Sequence, residues 1–210
     1  DDEIWRRVKI VAELGFHKCG LTGGGPGVRA KVVDGVAGIA KTPGVKAIAM
    51  TTNGLLLDEL AQPLADAGLE RVNVSIDTLN PEKFKKLTRW GKVEDVWQGL
   101  EAAKAAGLGI KLNAVVVRGY NDQEDVVELA RLTLSYPWQV RFIEMMPFGD
   151  VADFQQAGTV SEKDLRATIS AGLGELSVVD NGRLDGEASL YKLPGSLGTL
   201  GFISSVTQPF

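Results

Sequence analysis

The stretch AIAMTTNGLLLDELAQPLADAGLERVNVSID, residues 47–77, decides how the rest of the chain is read. It opens on a short apolar run, Ala47–Thr51, and closes on a second, Arg71–Ile76. Between them the apolar residues return with a spacing near 3.6, the period of a helix that buries one face. Gly68 stands where that helix should end and the next strand begin. Strand, helix and strand at this spacing fit a right-handed βαβ unit, which makes the two strands parallel.

The same rhythm extends in both directions. The first fifteen residues read as a helix, and further strands are expected at Lys18–Thr22, Ile110–Val117 and Gln139–Met146. Val93, Trp97, Leu100 and Ala103 fall on one face of a helix. Asn80-Pro81-Glu82 places a cap before a proline at the first helical position. Asn121 to Glu124 and Ser161 to Asp164 have capping-box spacing, and Gly107 is a second helix-ending glycine. After Val151 the alternation weakens to a helix at Ser161–Gly172 and short strands at Glu175–Asp180, Ala188–Leu193 and Thr199–Val206. The fold class is α/β with a mostly parallel, two-sided buried sheet. Periodicity leaves a barrel and an open doubly wound sheet both standing.

Composition narrows the function. The chain has 210 residues, 44% of them hydrophobic, which is enough for a sizeable core. A net charge of −4 supplies no basic excess for nucleic acid. No apolar run approaches a membrane span and no signal-peptide pattern appears, so a cytoplasmic protein is expected. A single cysteine, Cys19, excludes an internal disulfide and any multi-cysteine metal site within these residues. Inside a strand it reads as a small apolar residue rather than a nucleophile. His17, the one histidine, receives no role.

Parallel α/β proteins bind ligands at the carboxyl ends of their strands. The residues expected there are Thr22-Gly23-Gly24, Thr51-Thr52-Asn53-Gly54, Asn73 with Ser75 and Asp77, Lys111 with Asn113, and Arg141 with Glu144, Met145 and Met146. Any one of them could merely end a strand or cap a helix. Together they suit a polar anionic ligand carrying an apolar ring. Residues 20–27 are rich in glycine, yet no Gly-Lys-Ser/Thr follows. Gly25-Pro26-Gly27-Val28-Arg29-Ala30 fits a loose G-x-G-x-x-A pattern, but Pro26 removes a backbone donor and the next strand ends without an acidic residue.

Six segments carry a resemblance: LTGGGPGVR, AMTTNGLLL, AGLERVNVSIDTLNPEKF, KLNAVVVRGYND, RFIEMMPFGD and GFISSVTQPF, in this order along nearly the whole chain. They resemble the MoaA-type GTP 3′,8-cyclases of molybdenum cofactor (molybdopterin) biosynthesis, a family of radical S-adenosylmethionine enzymes. The resemblance implies a partial (βα)6 TIM-like barrel over residues 1–150, with residues 151–210 beginning a carboxyl-terminal extension. It implies two 4Fe-4S clusters, one of which reduces S-adenosylmethionine to a radical that abstracts hydrogen from the ribose of GTP. It assigns Gly24, Ser75 and Met146 to S-adenosylmethionine, and Lys18, Thr51, Lys111 and Arg141 to GTP. It also implies a partner enzyme that carries the cyclised product on to a cyclic pyranopterin, admits a homodimer, and involves neither nucleic acid nor membrane.

The departures are specific. The family's first cluster takes three cysteines of a C-x3-C-x2-C loop upstream of the segments matched here, and its second takes cysteines that follow a segment like TQPF. This sequence contains neither set, and cluster ligation needs thiolates. The expectation is a central piece, truncated at both ends and inactive by itself. Gly20 and Gly25 stand where the family has an arginine and a glutamate. A cluster-free protein that still binds nucleotide or S-adenosylmethionine, and another radical enzyme on the same barrel, are the alternatives.

Overall fold

In the computed structural model, residues 2–22, 31–88, 90–146, 158–180 and 188–204 are described. Helix and strand alternate from the start, with two helices between β3 and β4: α1 (Asp2–Glu13), β1 (Lys18–Leu21), α2 (Val32–Ala40), β2 (Ala47–Thr52), α3 (Leu57–Asp66), β3 (Arg71–Ser75), α4 (Pro81–Thr88), α5 (Val93–Ala105), β4 (Gly109–Val116), α6 (Glu124–Ser135) and β5 (Gln139–Glu144). Then come α7 (Glu162–Leu173), β6 (Ser177–Val178), β7 (Ser189–Lys192) and β8 (Thr199–Ile203). All five strands expected in the first two thirds of the chain are present, with ends shifted by no more than two residues. The chain divides into two compact units, Asp1–Ser75 with Trp90–Lys111, and Ile76–Arg89 with Leu112–Phe210.

In the first unit, β1, β2 and β3 are parallel neighbours, in the registers Lys18↔Ala47 and Thr51↔Asn73. Ile48, Met50, Val72 and Val74 are buried on one face of these strands. α3 adds Leu57, Ala61 and Leu64, and α5 adds Val93, Val96, Leu100 and Ala103. The buried stripe of α5 thus runs through Val96, while Trp97, expected on it, is only half-buried. Two glycines let these elements approach. A Cβ at Gly99 would lie 2.5 Å from the Gly54 carbonyl oxygen, and Gly54 itself turns at φ +84. Its N–H takes the Thr52 hydroxyl at 3.2 Å, so the TTNG segment closes the strand with its own side chain. His17 Nδ1 donates to the Gly44 carbonyl at 2.7 Å, fastening the entry of β1 to the turn before β2.

In the second unit, β5 and β8 are parallel, in the register Arg141↔Gly201, and β7 and β6 continue antiparallel. The rings of Phe142 and Phe202 meet at 5.7 Å and Tyr191 meets Phe202 edge-on at 5.5 Å. Ser161 caps α7 as expected, its hydroxyl accepting from the Asp164 N–H at 3.2 Å. Asn80 Oδ1 caps α4 through the Glu82 and Lys83 N–H groups.

The capping role expected for Asn121 does not hold. α6 begins at Glu124, and Asn121 instead accepts from the Val117 N–H at 2.8 Å while its Nδ2 donates to the Asp77 and Val115 carbonyls. Buried to 2% exposure, its amide serves three backbone groups.

Candidate functional site

The polar strand-end residues sort onto one face, and pleating explains why. Side chains at i and i+2 share a face, and residues in register on parallel strands do too. Lys18 is in register with Ala47, Ala47 shares a face with Thr51, and Thr51 is in register with Asn73. Asn73 shares its face with Ser75. A Cβ at Gly109 would touch the Arg71 side chain at 3.5 Å, so Gly109 and Arg71 lie on the same side, and Lys111 follows Gly109 two residues on. Lys18, Thr51, Asn73, Ser75 and Lys111 therefore occupy one face of the first unit. The opposite face carries Ile48, Met50, Val72, Val74 and Ile110, all buried beneath helices. Lys18 and Ser75 are exposed, and Thr51, Asn73 and Lys111 are half-buried.

Cys19 points to the other side of β1. It lines a hollow with Val8, Val11, Phe16 and Val45, which Arg7 and Lys18 also border, and burial pushes its thiol above the ordinary value. A protonated, half-buried thiol with no activating partner among the described residues fits the apolar role read from the sequence.

Within the first unit, Asn73 Nδ2 donates to Thr51 Oγ1 on the polar face at 3.4 Å. The amide oxygen of Asn73 is buried and has no hydrogen-bond partner among the described residues. Sequence reading noted Asn73 at the strand end without giving it a role. The signal was its spacing of two from Ser75.

In the second unit Arg141 is half-buried and its Nε donates to Asn113 Oδ1 at 2.8 Å. Glu144, expected beside it, is an odd number of residues away on β5 and lies buried on the other face, with Phe142. Met146 follows β5 with 43% of its surface exposed. Gly24 and Gly25 lie outside the described residues, as do Gly23 and residues 147–157.

Asp77 occupies a turn rather than an open strand end. Its Oδ1 accepts from the Val115 N–H at 2.8 Å. Burial raises its pKa, and that backbone bond offsets part of the rise. A carboxylate with a raised folded pKa contributes stability that is present below the unfolded value of about 3.9 and lost as pH rises through the folded value. At neutral pH the charge is a cost. Asp77→Asn keeps an oxygen for Val115, so its melting temperature at pH 7 is expected to equal or exceed that of the wild type. The gap should close towards pH 3. A melt in which the variant loses more at pH 7 than at pH 3 would contradict this.

The profile of the radical SAM superfamily matches residues 1–133. The chain belongs to the radical SAM superfamily. A second profile, Molybdenum Cofactor Synthesis C, matches residues 138–210. Curated relatives agree with both. The chain is 43% identical over 210 residues to a GTP 3′,8-cyclase of Heliobacterium modesticaldum, covering all of this chain and 64% of that protein. It is 43% identical over 209 residues to the GTP 3′,8-cyclase of a Picosynechococcus strain, covering 96% and 62%. This radical SAM chain thus spans a little under two thirds of the length of the curated relatives it matches.

Solved structures show the fold. Methylornithine synthase superposes with a TM-score of 0.63 at 19% identity, over 83% of this chain and 53% of that one. A radical SAM methyltransferase from Sphaerobacter thermophilus gives 0.59 at 17% identity, over 94% and 55%. The α/β architecture with mostly parallel strands, and its radical SAM kinship, are as the sequence motifs led one to expect.

The superfamily's iron–sulfur cluster is held by cysteine thiolates. The residues present do not fit it, because Cys19 is the one cysteine and lines the hollow beside α1. No helix among the described residues is long and apolar enough to cross a membrane.

Proposed function

We propose that this chain is the central portion of a GTP 3′,8-cyclase acting in molybdenum cofactor biosynthesis. The observation that carries the reading is similarity to such cyclases along its whole length, at 43% identity. The chemistry of the polar face supports it. Lys18 and Lys111 offer ammonium groups, and Thr51 and Asn73 offer uncharged hydrogen-bonding groups between them. That is a combination suited to a nucleoside triphosphate, for charge-assisted bonds to phosphate are the strong ones. Arg141, in the second unit, is a third cation assigned to GTP.

S-adenosylmethionine is the proposed cosubstrate and supplies the hydrogen-abstracting chemistry when bound. Ser75 offers an exposed hydroxyl to it in the first unit. Gly24 and Met146 remain assigned to it as well. The cluster that reduces it would be held by cysteines other than Cys19. On this reading residues 1–150 form the barrel core and residues 151–210 begin the extension. A partner enzyme then consumes the cyclised product, and a homodimer is the proposed assembly.

The test uses the full-length protein that contains these residues. Calorimetry should show saturable binding of both GTP and S-adenosylmethionine. Lys111→Ala is expected to weaken GTP about 10- to 100-fold, the worth of one charge-assisted bond. Its S-adenosylmethionine affinity should stay within about threefold of the wild type. Absence of saturable GTP binding to the unsubstituted protein would sink the proposal.

A further inference from the structure

On the polar face the hydrogen bonding of the Asn73 amide is half complete among the described residues. Its Nδ2 meets Thr51 Oγ1 at 3.4 Å, and its Oδ1 is buried with no partner among the described residues. Buried side-chain amides are paired in folded proteins, and an orphaned end asks for an explanation. A purely structural residue here would be better as leucine, of similar size and without polar atoms. The surroundings narrow what completes the pairing. Asn73 is in register with Thr51. Lys111 stands two residues after Gly109, as Asn73 stands two after Arg71, and Gly109 lies beside Arg71. Thr51, Asn73 and Lys111 thus form one layer across three strands. Ser75 is a layer further on, about 7 Å along the strand.

The two ends of the amide can exchange, because the Thr51 hydroxyl is able to accept from Nδ2 or donate to Oδ1. A partner that can both donate and accept is therefore matched in either orientation. A hydroxyl is such a partner, whereas a phosphate oxygen or an ammonium group serves only one. We infer that Asn73 binds a ribose hydroxyl of the nucleotide held by the Thr51–Lys111 layer, and so selects ribonucleotide over deoxyribonucleotide. This rests on the GTP reading above. S-adenosylmethionine also carries a ribose, but Ser75, the residue assigned to it on this face, is in the next layer.

The experiment measures calorimetric affinities of the full-length protein for GTP, 2′-deoxyGTP, 3′-deoxyGTP and S-adenosylmethionine, in the wild type, Asn73→Leu and Asn73→Ala. The wild type is expected to prefer GTP to at least one deoxy analogue by about tenfold, the worth of a hydrogen bond made in a buried site. Both variants should lose that preference and keep their affinity for S-adenosylmethionine. Ligand-free Asn73→Leu should melt no lower than the wild type, because it removes an unsatisfied polar atom. If both variants retain the preference, or if the wild type binds GTP with none, the inference is overturned while the GTP reading survives. A loss confined to S-adenosylmethionine overturns the assignment to GTP and gives the hydroxyl to the other ribose. Failure of the wild type to bind GTP at all is the separate result that sinks the proposed function.

Discussion

Gly198→Ala is expected to destabilise the fold by about 4 kcal/mol or more, at the far end of what single substitutions do. A Cβ at that position would sit 2.1 Å from the Trp138 carbonyl oxygen, 2.7 Å from that of Tyr136 and 3.0 Å from the Trp138 nitrogen. All three are backbone atoms, so no side chain can turn aside to make room. Retreat of Gly198 is blocked by its own bonds. Its N–H donates to the Thr133 carbonyl at 2.9 Å, its carbonyl accepts from Ser196 Oγ at 3.1 Å, and the next N–H, of Thr199, donates to Trp138 at 3.1 Å. That last bond leads directly into the β5–β8 ladder, which starts at Gln139↔Thr199. A shift here moves the start of β8 against β5. The entropic gain of replacing glycine, about 0.4–1 kcal/mol, is too small to compensate. Gly195→Ala is the control. Gly195 turns at φ +71 with nothing within 4 Å of its missing Cβ. Only backbone strain opposes that change, so its cost should be about 1–2 kcal/mol. Denaturant unfolding of the two variants should separate them clearly, and a Gly198→Ala midpoint close to the control's would refute the steric argument.

Gly198 also shows where sequence reading reaches its limit. Nothing in the run LPGSLGTL distinguishes it from Gly195, because its constraint comes from Trp138, sixty residues earlier in the chain. What was legible depended on local periodicity. Strands β1 to β5 could be read because apolar β-branched runs alternate with 3.6-period segments. The polar face could be read because Thr51, Asn73, Ser75 and Lys111 are polar residues at even spacing in apolar strands, although only Thr51 and Ser75 lie at carboxyl ends as expected, Asn73 sitting in the middle of β3 and Lys111 near the amino end of β4. Where a side chain had two choices, the sequence showed only the local one. Asn121 has the spacing of a cap, yet its amide is taken by the Asp77, Val115 and Val117 backbone. Trp97 has the spacing of a core residue, but Val96 fits the space between α5 and Gly54, with its Cγ1 2.9 Å from where a Cβ on that glycine would stand. Glu144 shows the cost of reading a strand end without its parity. It is three residues from Arg141 and so faces the opposite way.

Asp125→Ala is expected to cost about 2–4 kcal/mol, because it strands several partners at once. The carboxylate is 5% exposed and accepts from both Thr78 Oγ1 and Lys83 Nζ. Lys83 Nζ also donates to the Tyr120 carbonyl at 3.1 Å, and the Tyr120 hydroxyl donates back to the Lys83 carbonyl at 3.3 Å. Thr78, wholly buried, further accepts from the Asn80 N–H at 3.0 Å. The segment that begins α4 is therefore tied to α6 through one acid. Lys83 keeps 36% of its side chain exposed, so after the loss it can return to water, which argues for the lower half of the range. Thr78 has no such escape, and its hydroxyl would be left without its acceptor. Asp125→Asn should cost less than Asp125→Ala, since an amide oxygen can still accept from Thr78. Asp125→Leu with Lys83→Met should cost less than the two singles added together, because both ends of the pair leave at once. The Asp125 hydrogen bond, with burial opposing it, raises the Lys83 pKa. A raised folded value means stability that is full below the unfolded pKa of about 10.4 and lost only as pH rises through the folded one. The contribution of Lys83 should accordingly be flat from pH 6 to 9 and fade above pH 10. Denaturant melts of the five variants (Asp125→Ala, Asp125→Asn, Asp125→Leu, Lys83→Met and the double variant) at pH 7 and pH 10.5 test the argument, and strict additivity of the two single substitutions would show that the pair does not act as one unit.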